Sequence, residues 1–120
     1  MAWKSPLCIF VPKTAEGLAS GFEILKSNNA TIAIRGGGHS YNAGWANIDD
    51  GVLIVTSEIN DLNYDEKSQT VYAGMGNTWD SIYTYMEQFG RQVVGGRAPT
   101  VGLATVLGGN ACFHEFMSIS

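Results

Sequence analysis

Arg35-Gly36-Gly37-Gly38-His39-Ser40 is the stretch that decides how this chain is read. Just before it, Thr31 to Arg35 alternates Ile32 and Ile34, the period of a β-strand. Three glycines then follow at once. They leave a backbone with no Cβ to keep a ligand away, and glycine reaches φ > 0 freely, so successive N–H groups can converge on one anion. Read alone, the segment is either a tight turn or such an anion nest. His39 stands directly after it and is one of only two histidines. A lone histidine is commonly a surface or satisfied core residue, but beside a phosphate-type loop its imidazole can serve as nucleophile, base or ligand.

Upstream of the loop, Cys8-Ile9-Phe10-Val11 reads as a short strand ended by Pro12, and Thr14 can cap the helix that follows. Ala15, Leu18, Ala19, Phe22 and Leu25 recur on one helical face, and Asn28-Asn29 stops it. Downstream, Asp49-Asp50-Gly51 opens the apolar run Val52-Leu53-Ile54-Val55, a buried strand. Asn60-Asp61 and Asp65-Glu66-Lys67 are turn signals, and Thr70 to Ala73 is another strand. A second helix fits residues 78 to 89, capped by Asn77 or Thr78, with Asp80 in its first turn and Gly90 at its stop. Trp79, Ile82, Tyr83, Met86 and Phe89 make its apolar face, and Gln92 to Val94 reads as a last short strand. Helices alternating with strands indicate α+β or α/β.

Two familiar nucleotide motifs fail. No G-x-x-x-x-G-K-[ST] occurs, so there is no P-loop. Gly74-x-Gly76 lies between a strand and a helix, but Trp79 takes the third glycine position of the dinucleotide fingerprint and no suitable acid follows in a second strand. It reads as a strand-to-helix turn. A third glycine segment runs from Val93-Val94-Gly95-Gly96-Arg97-Ala98-Pro99-Thr100-Val101-Gly102 to Leu107-Gly108-Gly109-Asn110. It is either a surface loop or, being unusually apolar for one, a loop that covers a ligand.

The totals bound the function. A chain of 120 residues suits one domain, and 45% apolar residues suffice for a core. Seven Lys+Arg against eleven Asp+Glu give a net charge of -4, which supports no nucleic-acid footprint and leaves any bound phosphate mainly to backbone N–H groups. Cys8 and Cys112 have no metal-ligand spacing, and no metal site is expected. No apolar run approaches the ~18 residues of a membrane span, and the first residues do not read as a signal peptide. Compartment is left open.

The order Arg35-Gly36-Gly37-Gly38-His39-Ser40, Ala46-Asn47-Ile48-Asp49-Asp50-Gly51-Val52-Leu53-Ile54, Val71-Tyr72-Ala73-Gly74-x-Gly76-x-x-Trp79 and Val93-Val94-Gly95-Gly96-Arg97 resembles the FAD-linked oxidases of the berberine bridge enzyme-like group, its fungal members above all. These carry the FAD-binding domain type of p-cresol methylhydroxylase (PCMH) and vanillyl-alcohol oxidase. The resemblance spans about residues 8–110. It implies an α+β fold, the N-terminal lobe of a PCMH-type FAD-binding domain with a small mixed sheet and packed helices. It gives 1–120 as the N-terminal part of that domain, 111–120 as an atypical tail, and no substrate domain.

What the resemblance implies for function is FAD as cofactor and a small organic substrate oxidised by hydride transfer to the flavin, with O2 as acceptor. Arg35, Gly36, Gly37, Gly38, His39 and Ser40 would wrap the flavin pyrophosphate, with His39 the residue commonly joined to the flavin 8α-methyl. Gly95, Gly96, Thr100, Val101 and Gly102 would run along the flavin. Doubly linked members have a cysteine where this chain has Ala98, so one link at most is expected. The family's Val-Gly-x-Gly-Gly run stands here as Val101-Gly102-Leu103-Ala104-Thr105, and its following triple glycine as Gly108-Gly109-Asn110, so side chains stand where glycines are expected. Catalytic residues are not assignable, since the family's catalytic tyrosine or acid is expected beyond residue 120. The alternatives are a truncated, non-catalytic remnant or binding module with weak or no FAD affinity, and a plain structural domain whose glycines are turns.

Overall fold

The computed structural model describes residues 4–104. Leu107–Asn110 and the 111–120 tail lie outside the described residues.

The first half is built on a parallel sheet. Strand β1 (Cys8–Phe10) leads through helix α1 (Ala15–Ser27) to β2 (Ile32–Arg35), and β3 (Val52–Val55) inserts between them, giving the order β1-β3-β2. Register pairs Phe10 and Ile34 with Ile54, and Ile9 and Ala33 with Leu53. Leu53 and Ile54 are both buried because β3 is the central strand and is covered on both faces, which explains its unbroken apolar run.

The ends of α1 follow their sequence signals. The Thr14 hydroxyl accepts from the Gly17 N–H at 3.0 Å. At the other end Asn29 turns to φ 50, and the Asn28 side-chain amide donates to the Ile24 carbonyl. The expected apolar face is less covered than its pattern suggested. No residue of α1 is fully buried; of the expected face Leu18 and Leu25 are half-buried, while Ala15, Ala19 and Phe22 stay exposed. The helix meets β1 where Gly21 lies on the Phe10 ring, so close that a Cβ at 21 would collide with it.

The second half is an antiparallel hairpin with a helix packed on it. Strand β4 (Leu62–Asp65) pairs with β5 (Thr70–Ala73), and helix α2 (Trp79–Glu87) follows. At the hairpin turn the Asp65 carboxylate accepts from the Lys67 N–H at 2.9 Å and the Ser68 hydroxyl at 2.8 Å. The Ser68 hydroxyl first, then the Lys67 amide, hold that carboxyl below its ordinary range. Trp79, Ile82 and Met86 form the core, with Leu62, Tyr64, Val71 and Val93 around them. Each such side chain contributes about 1.5–3 kcal/mol relative to its exposed state.

The small mixed sheet is thus divided into a parallel sheet and an antiparallel hairpin. Two readings change. β4 fills the space between two turn signals. Gln92–Val94 is not a strand: it finds no neighbouring strand to pair with, and Val93 instead packs against the α2 core.

Candidate functional site

The Gly36–Ser40 loop leaves the carboxyl end of β2, the end at which open α/β sheets bind ligands. Gly38 takes φ 68, a conformation costly for a side-chain-bearing residue, and the aliphatic part of Arg35 lies against it. Inside the strand, the Arg35 carbonyl accepts from the Thr56 N–H at 3.0 Å. Among the described residues, the backbone N–H groups of 36–41 find no hydrogen-bond acceptor and the Arg35 guanidinium forms no ion pair. The Ser40 hydroxyl oxygen accepts from the Asn42 N–H at 3.3 Å.

The 95–102 segment comes back to meet this loop. Gly37 and Gly102 touch backbone to backbone: a Cβ on either would sit 2.5 Å from the other's nitrogen. Gly36 lies next to Ala104, where a Cβ would come within 3.1 Å of the Ala104 methyl. Two residues further along the first loop, His39 Nε2 lies 2.8 Å from Thr100 Oγ1. His39 and Thr100 are both exposed, so the pair faces outward at the junction.

Helix α2 holds the second segment in place. The Trp79 N–H donates to the Val101 carbonyl and the Asp80 N–H to the Pro99 carbonyl, both at 3.0 Å. The Leu103 N–H returns to the Asn77 carbonyl at 2.8 Å, and Val101 N–H closes a turn onto Ala98. The Tyr83 hydroxyl donates to the Gly96 carbonyl at 2.7 Å, and burial pushes that phenol's pKa up. Gly95 and Gly96 are glycines for a packing reason, since a Cβ at either position would enter the Trp79 ring.

The sequence-derived residues therefore sort by what remains open. Gly36, Gly37, Gly38, His39, Ser40 and Thr100 come together with unused donors or an open imidazole. Val101 spends both its N–H and its C=O inside the chain and turns its side chain toward the core. Among the described residues, the N–H groups of Gly95, Gly96, Arg97, Ala98 and Thr100 are not donated. Sequence reading took Asn77 only as a possible helix cap and missed Thr56. Asn77 is buried and its amide donates to the Gly74 and Asp61 carbonyls. Buried Thr56 sits between the two glycine turns, its N–H on Arg35 and its own carbonyl against Gly76. A polar residue closing the apolar run 52–55 was the only available signal.

The arrangement suits an anionic ligand held by backbone donors beside a nucleophilic or tethering imidazole. No group of three or more His, Cys, Asp or Glu placed to hold a metal occurs among the described residues, and no described helix is long and apolar enough to cross a membrane.

Comparison with known proteins gives the same direction. Residues 6–115 match the family model described as FAD binding domain. The chain is 44% identical over 106 residues to the bifunctional solanapyrone synthase of Alternaria solani, covering 88% of this chain and 21% of that protein. It is similar in structure to 6-hydroxy-D-nicotine oxidase from Arthrobacter nicotinovorans, with TM-score 0.74 and 26% identity over 80% of this chain and 21% of that one. Glucooligosaccharide oxidase from Acremonium strictum, described with a 6-S-cysteinyl, 8α-N1-histidyl FAD, shares the fold at TM-score 0.76 and 22% identity, covering 86% of this chain and 22% of that one. The chain thus spans about a fifth of the length of such relatives.

Proposed function

The chain belongs to the FAD binding domain family, among FAD-linked oxidoreductases of the berberine bridge enzyme-like and PCMH type, and from that premise we propose that its paired glycine loops hold the FAD diphosphate, with His39 as the point of attachment. The observation that carries this reading is the run of backbone N–H groups from 36 to 41 that no described residue accepts, set beside Arg35 at the end of a parallel strand. An anionic diphosphate fits such a run in a chain of net charge -4, because backbone donors supply attraction without side-chain cations.

In this reading Arg35, Gly36, Gly37, Gly38, His39 and Ser40 cradle the diphosphate, and Gly95, Gly96, Thr100, Val101 and Gly102 form the opposing wall. The engaged backbone of Val101 makes it a support for Thr100 more than a donor. Attachment through His39 would take one hydrogen from the imidazole and one from the flavin 8α carbon, both passed to dioxygen as the oxidant. Ala98 offers no thiol for a second link. FAD held there would supply a hydride acceptor for a small organic substrate, with dioxygen as the electron acceptor. Residues 1–120 make up the N-terminal part of the domain, and substrate contacts belong to parts of the enzyme that this chain does not include.

A second reading is a module with little FAD affinity. It is favoured by the Ala104 methyl, which occupies space beside Gly36 where the family pattern has glycine. Titration of FAD fluorescence with the 120-residue chain separates the two: saturable quenching supports the cradle, and none supports the remnant. Acid-precipitated protein should keep its yellow colour and lose it in His39→Ala.

A further inference from the structure

The contact between His39 and Thr100 joins residues 61 positions apart and is the only side-chain bond between the two loops among the described residues. Thr100 is not a casual neighbour. The carbonyls on either side of it, Pro99 and Val101, both accept from the first turn of α2, and Val101 N–H returns to Ala98, so the residue is pinned in a short turn. The Gly37–Gly102 approach then fixes the distance between the loops. His39 is held at Nε2, and among the described residues Nδ1 has no partner.

A neutral imidazole carries one proton, and the nitrogen bearing it is not nucleophilic. Which nitrogen is free is set by the bond the other one makes. We propose that Thr100 is a positioning residue: its oxygen accepts from Nε2–H of His39, which locks the ring and leaves the Nδ1 lone pair as the nitrogen presented to the flavin. The inference rests on the reading of His39 as the flavin attachment point. It adds which residue of this chain decides the nitrogen that is left free.

The test is long-range 1H–15N correlation of the imidazoles in the 120-residue chain at a pH where they are neutral, with His39→Ala separating His39 from His114. The expected spectrum has Nε2 protonated and Nδ1 bare in the wild type and in Thr100→Ser. In Thr100→Val both 15N shifts move toward each other as the tautomers mix. A Thr100→Val spectrum equal to wild type, or a protonated Nδ1 in the wild type, overturns the proposal. A parallel incubation with FAD, read as acid-stable colour, keeps the two ideas apart. Colour in the wild type and Thr100→Ser but reduced in Thr100→Val supports the positioning role. No colour in any form, with the imidazole shifts as expected, overturns the attachment reading and with it the use assigned to Nδ1.

Discussion

Two glycine turns in this chain follow strands, and they end in opposite states. Gly74-Met75-Gly76 leads from β5 into α2, and both of its glycines are closed in. The Gly74 and Gly76 N–H groups donate to Asp61 and Ile59, and a Cβ at either glycine would strike the Ile59 or Thr56 carbonyl. The donors at the start of α2 are also taken. Thr78 and Ser81 exchange a reciprocal cap, and Trp79 and Asp80 bond the returning 99–101 segment. A helix N-terminus is a ready anion site only while its donors are free; here they organise the protein's own chain. The Gly36–Ser40 loop is also rich in glycine and has the opposite outcome, with its donors unspent among the described residues. Glycine content alone does not mark a ligand site; the destination of the N–H groups does.

The comparison breaks most visibly at Gly76. Gly76→Ala drives a methyl into backbone, so a loss of about 3 kcal/mol is expected from overpacking that only a backbone shift can relieve. A urea midpoint unchanged from wild type would contradict it. Gly37→Ala is expected to cost about 1–2 kcal/mol, since the methyl parts two loops of which one is exposed, and its larger effect should be weakened FAD quenching. Equal quenching would mean that the loop junction is not part of the cradle. Thr78→Ala removes the cap that closes α2 and should cost about 1 kcal/mol by thermal unfolding, with FAD quenching untouched. The smallest effect is expected at Asp65. Its folded pKa is lowered, so its contribution to stability is present above the unfolded value of about 3.9 and fades as pH falls through the folded value. Asp65→Asn should melt below wild type near neutrality and converge with it in acid; a gap that persists in acid would contradict this assignment.

Much of this was legible in sequence because the signals are local. Thr14 and Thr78 cap where their residue type and position indicate, and the run 52–55 is the central strand. β4 was hidden because four residues between two turn signals show only one alternation, Leu62 and Tyr64. Gln92–Val94 misled because a short apolar run looks alike whether it pairs with a strand or packs on a helix. The α1 face was overread: periodicity records an intent to bury, and Ala15, Ala19 and Phe22 remain exposed in the described structure. The candidate loops were readable as glycine segments, but their meeting at Gly37 and Gly102 spans 65 positions, and no local pattern encodes it. Nor could sequence show that Gly95 and Gly96 make room for Trp79.

The most direct test of the contrast between the two turns follows every backbone amide at once. Adding FAD to the 15N-labelled chain should shift the amides of residues 36–41 and of Thr100 saturably while those of Gly74, Gly76 and Trp79–Ser81 stay in place. Saturable shifts at the start of α2 with residues 36–41 unmoved would contradict the assignment of the open loop as the FAD site.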